Sequence, residues 1–233
     1  MTTVRKERRH PGRKGILSPQ ILIVIGVAVL AAALLIILNI GRSPQVAGAN
    51  LPYETGVTPD GDPYKGSPDA PLHLLVYSDF VCGHCGALAD ALEALSPEYV
   101  ETGKMQVVFR SYAFLTPESV RSAEASECAL DQGADGFWKY HDVLYANRGT
   151  GLSAYSDTRL REYAQQVGLD ISMFNTCLDS EATVGNIQTD LDRGIADGVQ
   201  GTPTWFINGE MVPGALPEDT LRAIFDAMLA EGS

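Results

Sequence analysis

The 233-residue chain carries a formal net charge of −12, with 17 Lys and Arg against 29 Asp and Glu. That charge is unevenly placed: residues 1–42 hold seven Lys/Arg and one acid, and the remainder holds ten Lys/Arg and twenty-eight acids. An acidic main body excludes nucleic acid as a partner, which would need a basic surface, and suits a solvated domain.

Residues 1–18 read as a basic cytoplasmic tail. Residues 19–40 follow as a transmembrane helix: Ile21 to Leu38 is apolar apart from Gly26, and Ser18-Pro19 supplies an N-cap followed by proline at the first helical position. Such a helix is about 33 Å long, enough to cross the hydrocarbon core. Arg5, Lys6, Arg8, Arg9, Arg13 and Lys14 precede the run and only Arg42 follows closely. The positive-inside rule then predicts a single-pass cell-membrane protein with a cytoplasmic N-terminus and an extracytoplasmic body. A cleaved signal peptide is the alternative, with Ala47-Gly48-Ala49 as the small-residue site. The apolar run exceeds the usual h-region of roughly 7–15 residues, and the candidate site lies well beyond its end. Both readings export the body.

Residues 41–67, with Pro44, Pro52, Pro59 and Pro63 and several glycines, read as an extended stalk. Tyr53 and Tyr64 offer apolar contacts by which its last portion could lie on the folded domain. That domain is expected at 68–233. Strands are predicted at 72–78 and 105–110, where apolar, β-branched and aromatic residues concentrate. Between them a helix runs from 82 to about 95, ending before Pro97. Helical periods then cover 118–132, 137–146, 157–167, 171–178 and 182–197, punctuated by glycines. A hairpin closes the sheet, with strands 204–207 and 210–212 around Asn208-Gly209. A last helix spans 217–229.

The chemistry concentrates at Cys82-Gly83-His84-Cys85, where the first strand meets the first helix. Residues i and i+3 of a helical turn share a face, so the sulfurs can meet. The orphan N–H groups and helix dipole favour a thiolate there, and a CxxC in this setting reads as a redox site. Cys82, at the helix start, is expected to be the attacking and attacked sulfur, and Cys85, one turn in, the buried resolving thiol. His84 can stabilise the Cys82 thiolate by charge or hydrogen bonding, which stabilises the reduced form and makes the disulfide a stronger oxidant. The exchange needs no cofactor.

The other reading of a CxxC is half a metal site. A zinc knuckle needs a second pair nearby, whereas Cys128 and Cys177 form no CxxC and His10 lies on the far side of the expected membrane. No metal is therefore expected. Four cysteines allow three complete pairings, and sequence alone does not choose. Export, an even count and the CxxC favour Cys82–Cys85 as the working pair and Cys128–Cys177 as a structural bridge. Phe137, Trp138, Tyr140, His141 and Leu144 recur at helical spacing and read as core, with His141 a satisfied, partly buried histidine. Trp205 and Met211 read equally as packing or as the lining of a substrate groove.

A second signal, Gly201-Thr202-Pro203-Thr204, precedes the late hairpin strand. Together with Cys82-Gly83-His84-Cys85 it resembles the thioredoxin superfamily. More narrowly it is similar to the membrane-anchored DsbA-like branch, through Gly66-Ser67-Pro68-Asp69-Ala70-Pro71, Ser78-Asp79-Phe80, Glu127-Cys128-Ala129, Phe137-Trp138 and Phe206-Ile207-Asn208-Gly209. The resemblance implies an α/β thioredoxin-like fold with a helical subdomain inserted at about 115–198. It implies a cis Thr202–Pro203 bond beside Cys82, offering backbone groups to a substrate strand. It also implies a protein-disulfide oxidoreductase that donates disulfides to exported proteins with free thiols, reoxidised by a quinone-linked membrane oxidase. A reductase or isomerase with the same site, a Cys/His metal-delivery module and a non-catalytic holdase are the rivals. One position departs from the family pattern. Members commonly carry a buried acid six residues before the first active-site cysteine, where this chain has Val76. Asp79, three residues before Cys82, either takes over that role or caps the turn.

Overall fold

Leu72, Leu74, Val76, Tyr77 and Ser78 are all buried, as expected of a strand covered on both faces. This run is the central strand in a computed structural model that describes residues 51–231. Six strands form one sheet: β1 (Thr55–Val57), β2 (Pro63–Gly66), β3 (Leu72–Ser78), β4 (Met105–Ser111), β5 (Thr204–Ile207) and β6 (Glu210–Pro213). Their order is β1-β2-β4-β3-β5-β6, with β3 and β4 parallel and every other pair antiparallel. Val76 faces Phe109 of β4 on one side and Trp205 of β5 on the other. Parallel strands need a crossover, supplied here by helix α1 (Gly83–Tyr99). Five helices stand between β4 and β5: α2 (Pro117–Leu130), α3 (Ala134–Ala146), α4 (Asp157–Gln166), α5 (Ile171–Ser180) and α6 (Val184–Ala196). Helix α7 (Glu218–Glu231) closes the chain. The result is a thioredoxin-like α/β fold with a helical insertion.

Two expectations are corrected. The stalk does not extend to residue 67, because β1 and β2 join the sheet, with Tyr64, Lys65 and Gly66 opposite Val108, Val107 and Gln106 of β4. Proline and glycine obscured this edge in the sequence. Pro63 sits at the first position of its strand, where a missing N–H is tolerated. Gly66 has φ +92°, and a Cβ there would lie 2.1 Å from the Met105 carbonyl oxygen. Side chains also fasten the segment. Lys65 is buried, pairs with Glu93 at 2.9 Å and lies over the Trp138 ring at 4.9 Å. Arg110 clamps Asp62 through both carboxylate oxygens.

The second correction concerns α1, which runs through Pro97 to Tyr99 rather than stopping before it. An internal proline costs roughly 3 kcal/mol, but the last turn buries Leu95, Ser96 and Tyr99. Tyr99 packs edge-on against Phe225 at 5.3 Å and donates to Asp226 at 2.7 Å. Tertiary packing therefore outweighs the lost hydrogen bond.

At the hairpin, Asn208 and Gly209 both adopt positive φ, 48° and 90°, as a primed two-residue turn requires. The Asn208 side chain accepts from the His73 N–H at 2.8 Å and donates to the Pro71 carbonyl at 3.1 Å, fixing the hairpin to the start of β3. The expected tail and membrane span, 1–18 and 19–40, lie outside the described residues. Among the described residues no helix is long and apolar enough to cross a membrane.

Candidate active site

Cys82 occupies the N-cap position of α1, with φ −72° and ψ 119°, directly before the first helical residue Gly83. Asp79 shapes the turn leading to it. One carboxylate oxygen accepts from the Val81 N–H at 2.9 Å, and the other accepts from the N–H groups of Phe114 and Leu115 at 3.3 and 3.4 Å. Burial pushes this carboxyl above its usual range, while the backbone donors pull it back. Asp79 thus caps the turn and ties it to the segment after β4.

The two sulfurs meet different surroundings. Cys82 is half-buried and Cys85 is buried, and both are thiols. The Cys82 thiol donates to the Thr202 carbonyl at 3.4 Å. Its pKa is lowered to about 5, first by a hydrogen bond with the Cys85 side chain and then by the N–H of Cys85, by Thr202 and by the N–H of His84, against an opposing effect of burial. Burial drives the Cys85 thiol far the other way, reinforced by Cys82, with a hydrogen bond to Ser78 acting against the rise. The Asp79 N–H lies 3.5 Å from the Cys85 sulfur.

The Thr202–Pro203 bond is cis. Pro203 is buried, its carbonyl accepting from the Gly214 N–H at 2.7 Å. Residues 79–201 separate β3 from this loop, and the β3–β5 pairing returns it to the mouth of the motif, since Tyr77 faces Thr204. Gln200, Gly201, Thr202, Pro203 and Met211 line an open groove there. Met211 is 44 % exposed, whereas Trp205 is wholly buried and donates from Nε1 to the Gly214 carbonyl at 3.0 Å. The two residues thus divide between groove and packing.

A thioredoxin family profile, Thioredoxin_4, matches residues 58–227. The chain belongs to the thioredoxin family. It is a DsbA-like member in fold: the crystal structure of alpha-DsbA1 from Wolbachia pipientis superposes with a TM-score of 0.67 at 20% identity, covering 75% of this chain and 94% of that one. The probable disulfide bond formation protein D of Bacillus cereus is 29% identical over 169 residues, 70% of this chain and 77% of that protein. A Na(+)/H(+) antiporter, NhaA 3 of Salinispora tropica, is 33% identical over 169 residues, 72% of this chain but 24% of the antiporter. The thioredoxin-family chain thus spans about a quarter of the length of the curated antiporters it matches.

In this thioredoxin-family site Cys82, Cys85 and Thr202 converge. The His84 side chain does not join them: it is exposed and lines a separate groove with Ala87, Ala91, Leu216 and Pro217. Its contribution to Cys82 comes from the backbone N–H. Cys128 and Cys177 are bonded to each other far along the insertion, with Cα atoms 5.7 Å apart, bridging α2 to α5. Among the described residues no group of three or more His, Cys, Asp or Glu side chains is placed to hold a metal ion. Two residues of the site escaped the sequence reading. Ser78 hydrogen-bonds Cys85, and its hydroxyl lies 2.7 Å from that of Tyr145. Ser78 reads only as the end of a strand and as part of the Ser78-Asp79-Phe80 resemblance, and Tyr145 as one more aromatic of a helix, so neither is marked as a partner of Cys85.

Proposed function

We propose that this protein donates disulfides to exported proteins through Cys82 and Cys85. A substrate thiolate attacks the Cys82 sulfur of the oxidised pair, Cys85 leaves, and a mixed disulfide forms. A second substrate thiolate then resolves it, so the substrate is oxidised and both active-site thiols are reduced. The observation that carries this reading is the Cys82 sulfur at the open N-terminus of α1, 3.4 Å from the Thr202 carbonyl, with Cys85 buried behind it. A low thiol pKa at Cys82 stabilises the reduced pair and makes the disulfide oxidising. In the mixed disulfide, the backbone groups of Thr202, beside Pro203, hold the substrate strand and Met211 contacts its side chains.

The body is extracytoplasmic and tethered by residues 19–40, with the basic tail inside; charge asymmetry and apolar length support this. A quinone-linked membrane oxidase reoxidises it, as the family resemblance implies. Equilibration of the Cys82–Cys85 pair with glutathione tests the direction. Potentials in this motif type run from about −270 to −120 mV, and a donor is expected between about −180 and −120 mV. A value near −270 mV with an unshifted Cys82 thiol would mark a reductase instead.

A further inference from the structure

Behind the motif lies a cavity of about 300 Å³ whose lining includes Cys85, Val76, Ser78, Tyr145, His141 and Asp142. At roughly 30 Å³ of liquid per molecule it has room for several waters. One end is the Cys85 thiol, and exposed Asp90, Glu93 and Ala146 lie on its rim. Cys85 must change protonation in every turnover. As a leaving group it needs a proton; as a resolving nucleophile it must lose one. Buried as it is, the group cannot exchange that proton with bulk solvent directly. Val76, beside it, has nothing to offer.

We propose that His141, oriented by Asp142, accepts and returns the Cys85 proton across this cavity, with the Ser78 and Tyr145 hydroxyls relaying it. The inference rests on the exchange reading above. His141 is 8 % exposed, and its Nδ1 lies 2.9 Å from the Asp142 carboxylate. With a proton on Nδ1 donated to that carboxylate, Nε2 is the basic nitrogen. Nε2 has no hydrogen-bond partner among the described residues. The Tyr145 ring stacks edge-on to the His141 ring at 4.9 Å, and its hydroxyl lies 2.7 Å from Ser78, which hydrogen-bonds Cys85.

Other candidates are already engaged. Both Asp79 oxygens accept backbone N–H bonds. Lys65 and Glu93 pair with each other. The charged and titratable groups around His141 are Asp142 and Tyr145 on its own helix, Lys65 on β2, and Cys85, Asp90 and Glu93 on α1. Burial holds the imidazolium below its usual pKa, Asp142 opposes that, Lys65 adds to it and Glu93 counters it. His141 therefore rests neutral at pH 7, as a proton acceptor.

The resolving step balances as follows. Cys85 S–H gives its proton to His141, forming imidazolium. The thiolate attacks the Cys82 sulfur of a Cys82–S–S–R mixed disulfide. The Cys82–Cys85 bond forms, the Cys82–S–R bond breaks, and RS⁻ departs. In the reverse direction imidazolium protonates the departing Cys85.

Reaction of the reduced full-length chain with 5,5′-dithiobis(2-nitrobenzoate), followed by stopped flow, separates the two sulfurs. The first thionitrobenzoate released reports attack by Cys82 and the second reports resolution by Cys85. In the wild type the second phase should rise with pH and level off below the usual histidine range, since burial lowers the pKa of His141. His141→Gln should leave the first phase unchanged, slow the second about 100-fold at neutral pH, and convert its plateau into a continuous rise with hydroxide. Asp142→Asn should move the plateau to lower pH, and it carries the test if the glutamine variant fails to fold. Glu93→Gln should leave the profile as it is. An unchanged second phase in the folded His141 and Asp142 variants overturns the proposal, as does a slowing with the wild-type profile retained, or a profile that follows Glu93. A wild type with no rapid first phase would instead overturn the exchange reading, and this inference with it.

Discussion

Cys128 and Cys177 are joined across 49 residues, from α2 to α5, whereas Cys82 and Cys85 sit as two thiols within the first turn of α1. The first pair closes a long loop and so restrains the unfolded chain, by about 4 kcal/mol on the chain-entropy account. The second closes almost no loop, so its bond contributes little to folding by that route. What distinguishes it is asymmetry. One sulfur is half-exposed at a helix start with its pKa drawn down to about 5, and the other is buried with its pKa driven up. A disulfide between unlike sulfurs has a preferred point of attack and a preferred leaving group, which exchange requires and a structural bridge does not.

Replacement at the CxxC should have the largest effect. Cys82→Ser is expected to abolish oxidation of a reduced, unfolded thiol protein, and Cys85→Ser to retain attack at Cys82 while accumulating mixed disulfides. Non-reducing electrophoresis after acid quenching reads both. Equal activity of the two serine variants would break the contrast between the sulfurs. Next in size is Cys128→Ser with Cys177→Ser, expected to lower unfolding stability by about 4 kcal/mol in urea. The rate of Cys82 alkylation by iodoacetamide should not change. A shifted alkylation rate would mean that the bridge shapes the active site as well as the insertion.

The motif and the insertion were legible in the sequence because their signals are local. Cys82-Gly83-His84-Cys85 announces itself between a strand and a helix, and the helices of 117–196 follow apolar periods. What was not legible depends on contacts between distant segments. β2 was hidden behind Pro63 and Gly66, since its reason to be a strand is the edge of β4. The end of α1 was hidden by Pro97, since Phe225 and Asp226 hold it from the other end of the chain. The role expected of the His84 side chain fell to its backbone N–H, because the helical turn directs the imidazole into another groove. Ser78 reaches Cys85 from the end of β3, and no periodicity marks that.

Asp79 sharpens the comparison on a smaller scale. It holds one cysteine pair's turn through three backbone N–H groups and touches nothing of the other pair. Asp79→Ala should leave those part-buried donors without their carboxylate partner, at a cost on the order of 1 kcal/mol. Urea unfolding would measure it, and a loss well below 1 kcal/mol would show that the turn is held by the chain on either side.

A further effect is a pH dependence confined to the reduced pair. In the unfolded chain Cys82 should ionise near pH 8.5, and in the folded protein near pH 5. Between those values the unfolded state holds a proton that the folded state does not, so the stability of the reduced protein rises with pH. The contribution is complete above about pH 8.5 and is lost as pH falls through about 5. Cys85 works in the opposite sense, because its folded thiol resists ionisation, but that opposition begins only where the unfolded thiol titrates, near pH 8.5. A window from about pH 5 to 8 therefore isolates Cys82. Across it, urea unfolding of reduced wild type should gain on Cys82→Ser as pH rises, while the Cys128–Cys177 bridge contributes equally to both proteins. A constant difference would mean that Cys82 keeps an ordinary thiol, and the asymmetry of the pair would then rest on burial of Cys85 alone.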